Sequence, residues 1–413
     1  AASGTVKLAG AREEKKAIQT SVITNVDNNT GEWTEVIPGG FQAGNYYCGA
    51  NDGAGTMVFG LGGGSGRKIF TSTDNGVTFS NTSGGPSGTN QLYGMVYGNG
   101  RYVAAGEQGY YSDNGTSWTG ISQIMTGNGS QVQCIGYGAG KFIACGGNYY
   151  KMASSPDGIT WSQYTATGIT SIQGSIQGIA YGNGVWVCVG MTGIAYSANG
   201  TSWTNISYPS DTFADVIYAG GYFAIAGRNN STQKGKVIYS TNGISWSTAT
   251  GINMDYTFKI AYGDGTWLIT PVSGGPVNSL QTQDISNWSL GGEYTQIPAR
   301  SCRALQFGNG VFAGGDESSS GKIYTNTTAG YARTTLTLTD DTDLARFTPG
   351  DLVKQSSGPA DGQVSAVKTT DKTMTLDSVT GTWAANGSNK AIGPVQTTEV
   401  AGPYLTLSSS SGR

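Results

Sequence analysis

Residues 181–203, YGNGVWVCVGMTGIAYSANGTSW, contain the pattern that decides the fold. Apolar, alternating runs flank two Asn-Gly pairs, and this pair is the strongest short-range signal of a β-hairpin because its turn needs positive φ at both central residues. The stretch predicts a strand ending at Tyr181, strands over Val185–Gly190 and 194–197, and a fourth strand near Trp203. Four short antiparallel strands in about 40 residues are typical of one blade of a β-propeller.

The same unit recurs along the chain. Its first turn starts at Asp52, Tyr97, Tyr137, Tyr181, Tyr218, Tyr262 and Phe307, at successive spacings of 45, 40, 44, 37, 44 and 45 residues. The second turn precedes an aromatic residue at Phe79, Trp118, Trp161, Trp203, Trp246 and Trp288. Two markers that stay in phase over six copies predict a repeat protein, not a low-complexity linker.

The two ends of the repeat region complement each other. The last copy, which begins near Arg303, has three predicted strands but no tryptophan strand, whereas Trp33 lies 46 residues before Phe79 in a detached half-copy. We expect this N-terminal segment to supply the outer strand of the last blade, because closing the ring removes two open sheet edges. The predicted fold is therefore all-β: a seven-bladed β-propeller closed by an N-terminal strand, plus a small C-terminal β domain.

The repeated aromatic residues are predicted to pack between blades and to serve the structure rather than a ligand. These residues are Trp33, Phe79, Trp118, Trp161, Trp203, Trp246 and Trp288.

Changes in composition along the sequence predict the domain boundaries. Residues 1–16 begin with small side chains and continue with charged ones, which predicts an N-terminal arm. Residues 17–333 form the predicted propeller. Residues 334–400 are richer in Thr, Leu, Val and charge and predict a small barrel-like or sandwich-like β module, with a hairpin between 364–367 and 373–376. Residues 401–413 read as a flexible tail or linker.

Composition excludes several kinds of chemistry. The chain has no histidine, which removes a Ser-His-Asp triad and Cys/His zinc patterns. A net charge of −3 without a basic stripe argues against nucleic-acid binding, and no apolar run approaches the roughly 20 residues that span a bilayer. We predict no catalytic residue, no cofactor and no metal. Asp340, Asp341 and Asp343 group carboxylates without the Gly and Glu of a calcium loop, so a turn is favoured, and a bound cation stays the alternative.

Five cysteines lie in or beside predicted strands: Cys48, Cys134, Cys145, Cys188 and Cys302. They are predicted to be buried free thiols that act as small apolar side chains, with one disulfide between adjacent strands as the alternative.

Tyrosines near the predicted blade turns are the candidate ligand-binding residues. They are Tyr110, Tyr149, Tyr150 and Tyr208. Aromatic faces beside Asn, Gln and Thr suit sugars, whose C–H faces stack on rings while their hydroxyls form hydrogen bonds. The alternative is that these tyrosines pack between blades.

Residues 72–79, STDNGVTF, match the Asp-box pattern and resemble Asp-box propellers, a group that includes sialidases and many non-enzymes. In that family the box is a folding element. The next copy keeps an acidic residue at Asp113, whereas later copies place Pro156, Ala198 and Thr241 at that position. A sialidase also needs three arginines around the substrate carboxylate, and arginines are few here, so glycosidase activity is not expected.

Two further resemblances cover nearly all of the chain. The YGNGxFVAxG…YSxDGxxWT units are similar to propeller segments of phage tail and fibre proteins, and residues 336–395 resemble a small β module of tailed phages, especially marine cyanophages. The resemblance implies a non-enzymatic virion structural protein exposed on a tail, fibre or capsid. Its implied partners are other virion proteins, further copies of itself and a host-surface glycan. The alternatives are a bacterial secreted or cell-surface carbohydrate-binding propeller and, less favoured, a glycoside hydrolase.

Overall fold

A computed structural model gives the fold of most of the repeat region and of the C-terminal strands. The residues it describes are 18–20, 33–40, 44–62, 68–86, 88, 90–127, 131–147, 151–170, 172, 174–208, 211–271, 277–288, 296–297, 302–317, 321–327, 334–338, 352–355, 361–368, 373–380 and 391–392. All regular elements among them are strands, and none of these residues forms a helix that could cross a membrane.

The chain divides into two compact units. One comprises Asn29–Ala329, and the other combines Ala1–Asn28 with Gly330–Arg413. The first strand, β1 (Ile18–Thr20), falls in the second unit.

Seven antiparallel sheets, numbered here as blades, form the larger unit. The outer strand β2 (Thr34–Val36) precedes blade 1, which contains β3 (Tyr46–Asn51), β4 (Met57–Leu61), β5 (Ile69–Ser72) and β6 (Ser80–Asn81). Blade 2 contains β7 (Leu92–Gly98), β8 (Arg101–Gly106), β9 (Gly109–Ser112) and β10 (Thr119–Ile121). Blade 3 contains β11 (Val132–Gly138), β12 (Lys141–Gly146), β13 (Lys151–Ser155) and β14 (Ser162–Thr165). Blade 4 contains β15 (Ile176–Gly182), β16 (Val185–Gly190), β17 (Gly193–Ser197) and β18 (Thr204–Ile206).

The remaining blades follow the same order. Blade 5 contains β19 (Thr212–Ala219), β20 (Tyr222–Arg228), β21 (Gly235–Ser240) and β22 (Ser247–Thr248). Blade 6 contains β23 (Thr257–Gly263), β24 (Thr266–Pro271) and β26 (Leu280–Thr282), beside the short pair β25 (Val277–Asn278) and β27 (Gln296–Ile297). Blade 7 contains β28 (Cys302–Gly308), β29 (Val311–Asp316) and β30 (Ile323–Thr327), and β2 is its fourth strand.

The blades form a closed ring. Each inner strand contacts the inner strand of the next blade, in the order β3, β7, β11, β15, β19, β23 and β28, and β28 returns to β3. At this last junction Gln306 Nε2 donates to the carbonyl oxygen of Val58 at 3.1 Å, and Asn51 Nδ2 donates to Gln306 Oε1 at 3.2 Å. The prediction of a seven-bladed β-propeller is confirmed.

The predicted closure by the N-terminal segment is also present. Strand β2 pairs with β30 in antiparallel register, with Val36 opposite Ile323. Lys322 Nζ forms an ion pair with Glu35 Oε2 at 2.9 Å. Trp33 packs against the cluster that contains Phe307 and Phe312. Both ends of the propeller unit are therefore held within one sheet.

The two turns of blade 4 differ in backbone geometry, although both contain Asn-Gly. At the first turn Asn183 and Gly184 both take positive φ, 46° and 78°, as an Asn-Gly hairpin requires. At the second turn of the same blade only Gly200 is positive, at 76°. There Asn199 Oδ1 accepts hydrogen bonds from the backbone N–H groups of Thr201 and Ser202, so a side-chain cap replaces the second positive φ.

This cap also corrects the reading of the Asp-box copies. The capping side chain stands two residues after the strand-ending Ser or Thr in six copies, as Asp74, Asn114, Asp157, Asn199, Asn242 and Asp284. Asp113 is not the cap; its Oδ1 lies 2.6 Å from Arg101 Nε. The cap is therefore not lost in the copies with Pro156, Ala198 and Thr241, because an amide oxygen accepts the same backbone bonds as a carboxylate.

The repeated aromatic residues after this turn lie at the blade interfaces. Phe79, Trp118, Trp203 and Trp288 are buried, and Trp161 and Trp246 are half-buried against the clusters of their neighbours. In four copies the indole Nε1 donates back to a carbonyl of its own turn; for Trp203 this bond to Gly200 is 3.2 Å long.

The smaller unit is one six-stranded sheet in the order β1-β31-β34-β33-β32-β35. Its remaining strands are β31 (Thr334–Leu338), β32 (Leu352–Gln355), β33 (Asp361–Lys368), β34 (Thr373–Thr380) and β35 (Ala391–Ile392). The expected hairpin is present, with Val364 opposite Leu376.

The boundary of the propeller differs from the expected one. The sequence predicts that residues 17–333 form the propeller, yet Ile18 lies opposite Leu338 in the sheet of the smaller unit. Backbone pairing between segments more than 300 residues apart decides this placement, and no local pattern reveals it. Residues 1–16, 401–413 and the acidic group at Asp340 lie outside the described residues.

All five cysteines are buried and unpaired in the structure, as predicted. Cys134 stands opposite Cys145 on adjacent strands of blade 3, and Cys188 packs in the same cluster.

Candidate binding site at one end of the ring

A β-bulge interrupts the start of every inner strand. One residue per blade stands outside the ladder between the first and second paired positions: Tyr47, Tyr93, Gln133, Gln177, Ala214, Phe258 and Arg303. The inner strands line the axis side by side, so the seven bulges lie at the same end of the ring. These seven residues are called the bulge ring below.

The bulge ring differs from the rest of the repeat in its chemistry. Each member lies four residues before the aromatic or polar residue of the first turn, so its place in the unit is constant. Five residue types occupy its seven positions, whereas the first turn repeats one Gly-rich pattern. A bulged residue is left out of the ladder, which aims its side chain away from the regular packing. This position can therefore vary without disturbing the blades.

Four neighbouring blades, 6, 7, 1 and 2, bring their bulge residues into contact. The guanidinium carbon of Arg303 lies 4.7 Å from the ring centroid of Phe258 and 5.4 Å from that of Tyr47. The ring of Tyr47 in turn stacks on Tyr93, with centroids 5.8 Å apart and planes 22° from parallel. A continuous aromatic and cationic surface thus runs from blade 6 through blade 7 to blade 2.

Amide side chains continue this surface. The Tyr93 hydroxyl donates to Gln91 Oε1, and Gln131 of the next blade hydrogen-bonds the same hydroxyl. Gln133 Nε2 donates to Gln131 Oε1 at 3.2 Å, and Gln177 Nε2 donates to the hydroxyl of Ser175. Burial raises the pKa of Tyr93, so its hydroxyl keeps its proton at neutral pH and can donate.

Two ion pairs, each formed with a carboxylate, involve Arg303 and the neighbouring Lys259. Arg303 Nε lies 2.5 Å from Glu317 Oε1, an ion-pair distance, although the N–H does not point along a hydrogen-bond direction. Lys259 Nζ lies 3.3 Å from Asp215 Oδ1, with both side chains mostly buried.

A second arginine lies beside the same sector. The guanidinium carbon of Arg228 is 5.2 Å from the ring centroid of Tyr256, which meets Phe258 edge to face. Burial raises the pKa of Tyr256, while the positive charges of Arg228 and Arg303 act in the opposite direction. Both arginines therefore lie close enough to this phenol for their charges to act on it.

The described residues in and around the bulge ring offer aromatic, amide and cationic groups that can bind a ligand. Asp215 and Glu317 each pair with a cation, and no group of three or more His, Cys, Asp or Glu that could hold a metal occurs in the described residues. Of the propeller arginines, Arg228 and Arg303 lie here, Arg101 lies at the opposite end beside the first turn, and Arg67 and Arg300 are outside the described ranges. The three-arginine clamp of a sialidase is not assembled among the residues described.

The predicted ligand-binding tyrosines are not brought together. Tyr110 is buried in the cluster between blades 1 and 2, and its hydroxyl donates to Gln108 Oε1 at 2.9 Å. Tyr208 is half-buried in the cluster between blades 4 and 5, and its hydroxyl lies 3.0 Å from Thr248 Oγ1. Tyr149 and Tyr150 lie outside the described residues.

Sequence reasoning missed the bulge ring because a bulge has no composition signal of its own. Aligning the seven copies on their first turn places the bulge residues in one column, but the columns on either side vary as much, so the alignment alone does not single this column out.

Comparison with known proteins supports the fold alone. No family model and no curated protein matches the chain. Solved structures do match: YCF48 bound to a D1 peptide has 14% identity and a TM-score of 0.53, over 75% of this chain and 100% of that chain. An inactive variant of virginiamycin B lyase from Staphylococcus aureus, with quinupristin, has 12% identity and a TM-score of 0.57, over 72% and 99%. Hydrazine synthase of Kuenenia stuttgartiensis has 9% identity and a TM-score of 0.54, over 70% and 97%.

These proteins share an architecture with this chain. At identities this low, the similarity shows a shared β-propeller fold and gives no information on activity, because one fold hosts many unrelated functions.

Proposed function

We propose that this chain is a non-catalytic structural and attachment protein on the exterior of a phage particle, with the propeller as its interaction surface. Other virion proteins and further copies of the chain are its proposed partners within the particle. The resemblance of its repeat units and of its C-terminal module to phage tail proteins supports the location. The bulge ring supports the binding role.

The observation that carries the binding role is that the seven blades hold chemically different bulge residues at one end of a rigid ring. The turns, the inter-blade aromatics and the caps repeat from blade to blade, and each has a structural reason. The bulge residue keeps its position in every blade, but its type changes between blades, for example from tyrosine to glutamine to arginine. A set of different side chains held at one end of a rigid ring is what recognition of an asymmetric ligand requires.

The chemistry of the ring suits a host-surface glycan. Tyr47 and Tyr93 offer aromatic surface, and Gln133 and Gln177 offer amide donors and acceptors next to it. Sugars present both C–H faces and hydroxyl groups, so they bind well where rings and amides alternate.

A non-catalytic role is supported by the state of the acidic groups. Glycoside hydrolysis needs one carboxyl that holds a proton and a second that is free to act. Next to the bulge ring, Asp215 and Glu317 are both engaged with cations, so neither is a free partner for the exposed Glu107 near Tyr93.

A glycan array probed with the purified chain tests the binding role. We expect selective binding that Tyr93→Ala weakens about fivefold or more, because losing the stacking of one aromatic ring costs about 1 kcal/mol. Val77→Ser is the matched control, since Val77 is exposed in a turn at the opposite end. Failure of every glycan to bind, or equal loss in both variants, would refute the role of the bulge ring.

Two further measurements test the other parts of the proposal. Incubating each bound glycan with the chain should leave it uncleaved; release of a shorter sugar would make the protein a glycosidase. Immunogold labelling of purified particles should place the chain on their exterior. Recovery from a bacterial surface or culture medium without particles would instead support the carbohydrate-binding bacterial propeller.

A further inference from the structure

We propose that Arg303 binds the carboxylate of an acidic saccharide, which makes the bulge ring selective for charged over neutral glycans. The inference rests on the proposed function, because it assigns a ligand class to the same ring. It concerns one sector, formed by Arg303 with Phe258, Tyr47 and Glu317, next to Arg228.

The guanidinium of Arg303 is held in place from several sides. Phe258 contacts it at 4.7 Å and Tyr47 at 5.4 Å, both measured from the guanidinium carbon to the ring centroid. Glu317 Oε1 lies 2.5 Å from Nε. Stacking on aromatic rings and an anion at Nε restrict rotation of the side chain, so little conformational entropy remains to be lost when a ligand binds.

The outer edge of this guanidinium is unused. The Arg303 side chain is 35% exposed, and its Nε is buried. Neither Nη donates a hydrogen bond to any described residue. Two parallel N–H groups on a planar fork match the two oxygens of a carboxylate, and such bidentate pairs are among the strongest hydrogen-bonded contacts in proteins.

Arg228 adds positive charge to the sector. It stacks on Tyr256 and has no carboxylate partner among the described residues, where its buried Nε also lacks a hydrogen-bond acceptor. Lys259 and Arg303 are matched by Asp215 and Glu317. Asp316 is buried beside Cys302, away from solvent, and the exposed Glu107 lies near Tyr93 of blade 2. Within the sector, Arg228 therefore adds a positive charge that no described carboxylate matches.

The neighbouring blades supply the contacts for the rest of the sugar. Tyr47, against which Arg303 lies, stacks on Tyr93, and Tyr93 leads to the amides of Gln131 and Gln133. A saccharide whose carboxylate meets Arg303 would extend along rings and amides with no break. Aromatic stacking and amide bonds alone would accept a neutral sugar, so the arginine provides the selectivity for charge.

Calorimetric titration with trigalacturonate and with its methyl ester tests the proposal, since the two probes differ only at the carboxyl groups, which are charged in the acid and methylated and neutral in the ester. We expect the acid to bind at least about tenfold more tightly than the ester, and more weakly as salt rises. Arg303→Gln should remove this preference, and Arg303→Lys should restore it only in part, because an ammonium is a point charge without a fork. Arg101→Gln, at the opposite end, should change neither affinity.

The outcomes separate this inference from the proposed function. Equal binding of acid and ester, no binding of the acid, or an unchanged preference in a folded Arg303→Gln protein would overturn the carboxylate assignment. So would tighter, Arg303-dependent binding of a sulfated oligosaccharide. If Tyr93→Ala still abolishes the binding of neutral glycans, the bulge ring remains a glycan site while Arg303 loses its assigned role.

Discussion

The aromatic ring of Tyr137 in blade 3 lies directly over Gly98 in blade 2: a Cβ placed on Gly98 would come within 2.1 Å of Tyr137 Cγ. The same relationship joins Tyr181 to Gly138 and Tyr218 to Gly182. The Tyr-Gly pair that marks each repeat is therefore an inter-blade contact. The glycine of one blade leaves the space that the aromatic residue of the next blade fills.

Gly98→Ala is expected to lower the free energy of unfolding by about 2–3 kcal/mol, because the added methyl group overlaps the Tyr137 ring inside a packed interface. Gly120→Ala is the matched control: its Cβ would lie 3.9 Å from Tyr110 in an exposed strand, and we expect a change below about 0.5 kcal/mol. Urea denaturation of both variants measures the difference. Equal stabilities would contradict the inter-blade contact.

Val36→Asp is expected to weaken ring closure by about 2–3 kcal/mol, because it places a charge where β2 packs on the cluster between blades 7 and 1. The adjacent residue Ile37 is 65% exposed, so Ile37→Asp should leave the melting temperature nearly unchanged. Thermal melts and limited proteolysis of the N-terminal segment compare the two. Similar behaviour of both variants would show that β2 does not hold the ring closed.

Asp157 gives a pH prediction. Hydrogen bonds from the backbone N–H groups of Thr160 and Ile159 lower the pKa of Asp157 to about 2, from an ordinary 3.8. A carboxyl whose pKa is lower in the folded state stabilises fully above its unfolded pKa and loses that contribution as pH falls toward the folded value. The melting-temperature advantage of the native protein over Asp157→Asn should therefore shrink between about pH 4 and pH 2.

Asn fills the same position at Asn114, Asn199 and Asn242, so the Asp157→Asn protein keeps an acceptor for the cap and should fold. A difference that stays constant over this pH range would show that Asp157 titrates normally in the folded protein.

The cysteines should be inert in the folded protein. Burial raises the pKa of Cys48 and of Cys302 to about 12, from 9.0, so hardly any thiolate exists at pH 8. We expect no alkylation by iodoacetamide in native buffer and five modifications in urea, counted by mass spectrometry. Ser231→Cys, on an exposed turn, is the positive control and should react at once. Fewer than five modifications in urea without reductant would indicate a disulfide.

The blades, their turns and the closure by the Trp33 segment could be predicted from the sequence, because each depends on local chemistry repeated at a regular spacing. Asn183-Gly184 specifies its turn whatever surrounds it. The site could not be predicted in the same way. Tyr110 and Tyr208 resemble exposed sugar-binding residues in sequence, yet neighbouring blades cover Tyr110 fully and Tyr208 in part.

By itself the sequence determined the number of blades and the direction in which the ring closes, since seven phased copies and one displaced half-copy allow a single economical arrangement. Tertiary structure alone decided that Arg303 meets Phe258 and Tyr47, that Asn199 and not Ala198 caps its turn, and that Ile18 pairs with Leu338. Two of these outcomes join side chains or strands from distant parts of the chain, and the third depends on how one turn folds. A spacing rule predicts where a strand begins and ends, but not which side chains meet once the ring has closed.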